Sequence, residues 1–267
     1  MNEASEVSVL AERMMVSVGL SSCPVGVKFL RQQEPDSAGA VRLEGYRYCQ
    51  AVMKARRGET VILDAHGISC PAAASAFGFR DLPEQLASGH GLVGFGIVED
   101  PAVGKRMFEE MTRLQPSSVE ALLLFPLNKT DIIPDVVVVE GEVEHLMWIA
   151  LAGLQLMGGE RVRSSTAVLQ ATCVDSTIIP FVENRLNLSF GCYGCREATD
   201  IASSEAVLGF PGRMLAGIVE RLEYLAGKAV PNSRSKRAFA RSLRRHADSA
   251  KSNVRDTDAG ACDSQRL

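Results

Sequence analysis

The residues of this chain with the plainest chemistry are thiols. Gly191-Cys192-Tyr193-Gly194-Cys195-Arg196 sets two cysteines at C-x-x-C spacing among glycines. Three earlier segments each offer another: Arg47-Tyr48-Cys49-Gln50, Ser69-Cys70-Pro71 and Thr172-Cys173-Val174-Asp175. Beyond a strand, C-x-x-C spacing lets two sulfurs face one metal, and Gly191 and Gly194 let the backbone wrap closely. One pair cannot complete a tetrahedral site, so Cys49, Cys70 and Cys173 are the candidate completions. Soft thiolates suit zinc, copper or an iron–sulfur cluster, and a 4Fe–4S cluster takes cysteine ligands throughout. Two other readings stand beside this one. Small buried cysteines are common core residues. Alternatively, Cys192 and Cys195 form a redox-switching pair, which requires a helix N-terminus or Arg196 to lower a thiol pKa. A thioredoxin-type pair opens a helix after a strand, whereas Arg196-Glu-Ala-Thr-Asp reads as a loop.

Around the thiols, Arg47, Lys28, Tyr193 and Gly194 are candidates to hold a cofactor or an anionic ligand. Arg47 lies two residues before Cys49, and a cation there balances a cluster's negative charge or grips an anion. Lys28 lies in the first strand, where the plain reading is an outward-facing side chain. Asp64 and Asp175 are carboxylate partners or helix caps. Gly209-Phe-Pro-Gly212 is a candidate to offer backbone N–H groups to an anion. No complete G-x-x-x-x-G-K-S/T or G-x-G-x-x-G loop occurs, the four His share no metal-ligand spacing, and no G-x-S-x-G elbow is present. The residues name no reaction class.

These side chains need a scaffold, and the chain is long enough to supply one. It has 267 residues, 46% hydrophobic and 23% charged, with a net charge of −3. That charge gives no overall pull towards nucleic acid. No apolar run approaches a membrane span of about 20 residues, and no secretory signal is evident at the start. The expected location is the cytoplasm, where the seven cysteines stay reduced. The sequence sets no oligomeric state.

In order, residues 5–20 read as an amphipathic helix, 25–30 as a strand, 31–42 as a surface loop, and 46–57 as a helix closed by Gly58. A strand follows at 60–64, then a small-residue helix opened by Pro71, a strand at 92–98 and a helix at 103–114. Residues 121–127 and 135–140 read as buried strands, with Ala121–Leu127 and Val136–Val139 unbroken apolar runs, as in strands covered on both faces. Helices are expected at 143–157, 168–182 and 212–225, and strands at 161–167 and 186–190. Arg57-Gly58-Glu59-Thr60-Val61 echoes Gly158-Gly159-Glu160-Arg161-Val162, and a cysteine follows each at a similar distance. The expected architecture is α/β, with α+β as the variant: mixed sheets flanked by helices in one domain, 1–228, of two related halves at about 24–115 and 120–227. Residues 229–267 read as a disordered basic tail; from 231 onward they hold nine Lys or Arg against four Asp.

Five segments carry a resemblance: Pro24-Val-Gly-Val-Lys-Phe, Arg47-Tyr48-Cys49-Gln50-Ala51, Cys70-Pro71-Ala72-Ala73, Pro134-Asp-Val-Val-Val-Val and Gly191-Cys192-Tyr193-Gly194-Cys195-Arg196. From about residue 8 to 226 the chain resembles the domain of unknown function family numbered one hundred and sixty-nine, found in archaea and anaerobic bacteria. The resemblance implies that Cys49, Cys70 and Cys192 are motif residues. The family pattern often has Ser where Cys195 stands, which shifts weight to Cys49, Cys70, Cys173 and Cys192, with Cys195 as an extra or substitute ligand. The expected function is a cysteine-ligated cofactor protein, an iron–sulfur cluster of the 4Fe–4S type being the expected group, in anaerobic redox or cofactor metabolism. The alternative is a metal-free enzyme or accessory protein holding an anionic small molecule between the halves. Expected partners are a small molecule or a redox partner protein, with neither membrane nor nucleic acid.

Overall fold

The computed structural model describes residues 3–31, 39–130 and 132–232. Its strands are β1 (Val25–Leu30), β2 (Val41–Arg42), β3 (Val61–Asp64), β4 (Ala121–Pro126), β5 (Val136–Glu142), β6 (Asn187–Ser189) and β7 (Glu205–Pro211). They form one mixed sheet in the order β2-β3-β4-β1-β5-β7-β6. Only β2 and β3 run parallel; the other neighbours are antiparallel. In the central register, Val25 faces Pro126 on one side and Val138 on the other.

The pleat explains the core. Val25, Val27 and Phe29 of β1 share a face with Val61, Leu63, Leu122, Leu124, Val136, Val138 and Val207, and all are buried in one cluster. On that face lie α2 (Tyr48–Arg56), α3 (Pro71–Ala76) and a π-helix (Ala171–Ile178), which contribute Tyr48, Val52, Phe77, Cys173 and Ile178 to the same cluster. The intervening residues Leu123, Phe125, Val137, Val139, Leu208 and Phe210 are buried too, and α7 (Val143–Leu156) lies against β5 and β7. Burial on both faces is why β4 and β5 read as continuous apolar runs. The remaining helices are α1 (Glu3–Val18), α4 (Glu84–Ala87), α5 (His90–Gly94), α6 (Pro101–Glu109), α8 (Ile179–Glu183), α9 (Tyr193–Ala198) and α10 (Leu215–Gly227).

Several expected elements came out differently. Residues 92–98 are not a strand: Gly89 and Gly96 take left-handed φ values of 81° and 68° and bracket the single turn of α5. Residues 161–167 form no strand. They run beside β6 but bond to it through side chains, Ser165 N–H to Asn187 Oδ1 at 2.9 Å and Asn187 Nδ2 to Ser165 O at 2.9 Å. Gly209 and Gly212 offer no open anion nest. Gly209 is a β7 residue paired with Val138 and Asn187, and Gly212 N–H is bonded to Asp135 O. The segment after Cys195 is the helix α9, not a loop.

The chain divides into residues 1–223 and 224–267. Of the second, the described part holds the end of α10 and a short 3-10 turn, Val230–Asn232. Most of the basic tail read from the sequence, residues 233–267, lies outside the described residues. Among the described residues, no helix is long and apolar enough to cross a membrane.

Candidate functional site: a cysteine-lined pocket

Each thiol is delivered by a helix. Cys49 is the second residue of α2 and Cys70 caps the start of α3, where Pro71 takes the position that needs no N–H. Cys192 caps α9 and Cys195 lies within its first turn. Cys173 sits in the π-helix. All five line one pocket of about 330 Å³ with Leu86, Leu92, Phe95, Ile97 and Phe108 among the apolar walls. The structure therefore brings together Cys49, Cys70, Cys173, Cys192 and Cys195, from four separate stretches of sequence. Tyr193 and Gly194 are also on the lining, and Tyr193 is largely exposed.

The π-helix is fixed from two sides. Gly209 of β7 lies so close beneath it that a Cβ there would come 1.8 Å from Ser176 O. Tyr48, fully buried, meets Thr177 Oγ1 at 2.9 Å, and Thr177 Oγ1 donates to Thr172 O at 2.7 Å, which joins α2 to the π-helix. Burial and the Thr177 bond act in opposite directions on the Tyr48 phenol, and burial wins, so it stays protonated. At the entrance to the π-helix, Val168 and Gln170 adopt positive φ, 57° and 54°. For a β-branched residue such as Val168 that is a true outlier, of the kind that gathers at functional sites.

Within the pocket the tightest contact is between the paired thiols. Cys192 Sγ lies 2.9 Å from Cys195 Sγ, and Cys195 N–H donates to Cys192 Sγ at 3.3 Å. Thr172 Oγ1 is 3.3 Å from Cys195 Sγ. Cys49 completes a buried cluster with Ala171, Cys192 and Cys195. The hydrogen bond to Cys195 and burial push the Cys192 thiol well up. For Cys195, the bond from Cys192 favours the thiolate, but the bond to Cys49 and burial outweigh it and raise the thiol to about 12. Burial, with the neighbouring Cys70, Cys195 and Cys192, also raises Cys173. These sulfurs are neutral thiols unless a cation joins them.

The candidate cations are arranged otherwise than expected. Arg47 is at the pocket lip, but its Nη1 donates to Gly194 O at 3.2 Å and to Glu197 Oε2 at 3.0 Å. With Gln50 Nε2 bonded to Ala198 O at 3.3 Å, it clamps α9 to α2. Lys28 is not on the pocket lining and pairs with Asp135 at 3.4 Å. Arg196 turns away from the thiols and donates to the carbonyls of Phe190, Ala202 and Glu205 at 2.5, 2.7 and 2.8 Å. Asp64 accepts from the backbone of His66 and Gly67 in a turn.

Among the described residues two carboxylates are buried: Asp175, read from sequence as a carboxylate partner or helix cap, and Glu140, which the sequence did not single out. Asp175 Oδ2 accepts from Thr166 Oγ1 at 2.6 Å and Ser189 Oγ at 2.7 Å, behind the π-helix. Glu140 is buried in β5, 3.5 Å from the Arg56 Nε, and neither carboxylate oxygen has a hydrogen bond among the described residues. The only signal for Glu140 was a charge inside an otherwise apolar strand.

Soft donors, apolar walls and a shared pocket fit a cysteine-ligated group. Among the described residues, no three His, Cys, Asp or Glu side chains gather as they would around a single metal ion. The thiols line a wall; they do not close a mononuclear cage.

Fold and site together define a class: an α/β protein whose helices begin at a cysteine-lined pocket on one face of a mixed sheet. The chain belongs to DUF169, described as "Uncharacterised ArCR", whose family model matches residues 13–221. It is 29% identical over 227 residues to "Uncharacterized protein MJ0308" of Methanocaldococcus jannaschii, covering 83% of this chain and 96% of that protein. No solved structure matches it.

Proposed function

We propose that this chain is a cysteine-ligated cofactor protein that carries an iron–sulfur cluster, of the 4Fe–4S type, in redox or cofactor metabolism. The observation that carries the reading is the convergence of Cys49, Cys70, Cys173, Cys192 and Cys195 on one apolar pocket. Four thiolates, each bonded to a different iron, are what such a cluster takes, and five are within the lining. Cys49, Cys70, Cys173 and Cys192 are the assigned ligands, with Cys195 as the substitute. When bound, the cluster supplies one-electron transfer. The chain's own part is to hold the sulfurs, exclude water with Leu92 and Phe108, and keep α9 in place through Arg47. The metal-free alternative, an anionic molecule gripped by Arg47 and Lys28, has weaker support, since Arg47 is engaged with Glu197 and Lys28 is engaged with Asp135 away from the pocket.

Anaerobic purification followed by reconstitution with iron and sulfide tests this. The expected product is brown and holds about four irons and four acid-labile sulfides per chain. Cys49→Ser, Cys70→Ser and Cys173→Ser should each lose most of that load. A colourless, iron-free protein after reconstitution overturns the proposal.

A further inference from the structure

We propose that Cys192 and Cys195 form a reversible disulfide by exchange with a small-molecule or protein disulfide, so that the chain accepts oxidation as a two-electron dithiol. This does not rest on the cofactor reading: it needs only the pair's geometry.

The two sulfurs stand 2.9 Å apart. A disulfide bond is about 2.0 Å long, so closure requires an approach of only about 0.9 Å, within reach of small rotations about the Cα–Cβ bonds. Among the described cysteines, no disulfide holds either residue elsewhere. The spacing fits the redox use of C-x-x-C, in which the first cysteine caps a helix that follows a strand. Here β6 ends at Ser189, Cys192 caps α9, and the Cys195 N–H points at the Cys192 sulfur. The loop expected after Cys195 would have argued against this use, and the helix removes that objection.

The geometry also assigns roles. Cys192 lines the main pocket and a second, shallower cleft bounded by Val168, Phe190, Tyr193 and Ser203. Phe190 and Tyr193 are largely exposed there. Of these two openings Cys195 lines only the main pocket, where it meets Thr172. Access therefore makes Cys192 the attacking sulfur and Cys195 the resolving one. Because the bond to Cys195 and burial raise the Cys192 thiol, the attack is slow at neutral pH and quickens as pH rises. In the first step Cys192 gives up its proton and bonds to one sulfur of the incoming disulfide. That S–S bond breaks, and the other sulfur leaves as a thiol carrying a proton. In the second step Cys195 gives up its proton and attacks Cys192 Sγ. The mixed disulfide breaks, and the second sulfur leaves as a thiol. Two electrons pass from the protein's dithiol to the incoming disulfide, and the protein keeps the new S–S bond.

The test uses the full chain, purified anaerobically, freed of metal by chelation, and equilibrated with oxidised and reduced glutathione in varied ratio. Acid quenching, alkylation and peptide mass spectrometry then count free thiols at each cysteine. The expected result is joint loss of alkylation at Cys192 and Cys195, a cross-link between them, and reversal by dithiothreitol, while Cys173 stays alkylatable after unfolding. Cys195→Ser, checked for folding by circular dichroism, should trap glutathione on Cys192, and Cys192→Ser should trap much less on Cys195. Continued alkylation of both thiols under oxidised glutathione, or linkage of either one to Cys49, overturns the proposal. Iron and sulfide loading is read on separate samples. A protein that closes the disulfide but never takes up iron refutes the cofactor reading alone, and one that loads iron but never closes the pair refutes this inference alone.

Discussion

Glu140 is the residue whose placement most contradicts its chemistry. A carboxyl buried in β5 loses its hydration, and among the described residues its oxygens gain no hydrogen bond in return, only the Arg56 Nε at 3.5 Å. Burial raises it from the usual 4.5 to about 7; Arg56 pulls down, while Asp200 and Glu205 push up. The folded state then keeps a proton that the unfolded chain has already released. Stability from this group is fully present below about pH 4.5 and is lost as pH rises through about 7, a change of about 3 kcal/mol at 1.36 kcal/mol per unit. Urea denaturation at about pH 5 and about pH 8 should show the wild type weaker at the higher pH by that order. Glu140→Gln should flatten the difference. Equal pH slopes in both proteins would show that Glu140 is not the group responsible.

At the scale of elements, the site depends on how closely the π-helix can lie on β7. Gly209 permits this, since a Cβ would meet the backbone of Ser176 at 1.8 Å, an atom that cannot rotate aside. Gly209→Ala should therefore lift the π-helix and cost about 2 kcal/mol or more. It should also lower iron uptake by displacing Cys173. Gly94→Ala in α5 is the control: nothing lies within 4 Å of its Cβ position, so it should be neutral or stabilise by up to about 1 kcal/mol. Thermal melts of the two variants check this, and equal melts would remove the close-approach argument.

The same elements show how far the sequence could be read. β4 and β5 were legible because β4 throughout and β5 from Val136 to Val139 are apolar at successive positions, and α3 because Pro71 marks a helix start. The thiol segments were legible as motifs, and their convergence followed from the helices that begin with them. β7 was missed because Gly209 and Pro211 read as turn residues, although both are strand partners of β5. α9 was missed because six residues containing Gly194 have little helical tendency of their own. It exists through tertiary bonds, above all Arg47 to Gly194 O and Glu197. Those bonds are also why Arg47 and Lys28 read as ligand-gripping cations from sequence, where partners far along the chain are invisible.

For the whole molecule, the pocket is where α2, α3, the π-helix and α9 meet, so anything bound to their thiols links four segments that lie far apart along the chain. A group that binds the folded chain and not the unfolded one stabilises it by RT ln(1 + [L]/Kd), about 2.7 kcal/mol at a hundredfold excess over Kd. For a chain of this size each kcal/mol moves Tm by about 2–4 °C. Reconstitution with iron and sulfide should therefore raise Tm by about 5–10 °C, and chelation should reverse it. Cys49→Ser should abolish the gain. Amide hydrogen exchange should slow in all four helices at once, because the ligand joins them, whereas a group held only by Cys192 and Cys195 would protect α9 alone. Unchanged melting with slowed exchange confined to α9 would mean that the other three sulfurs are pocket walls, with no bond to the cofactor.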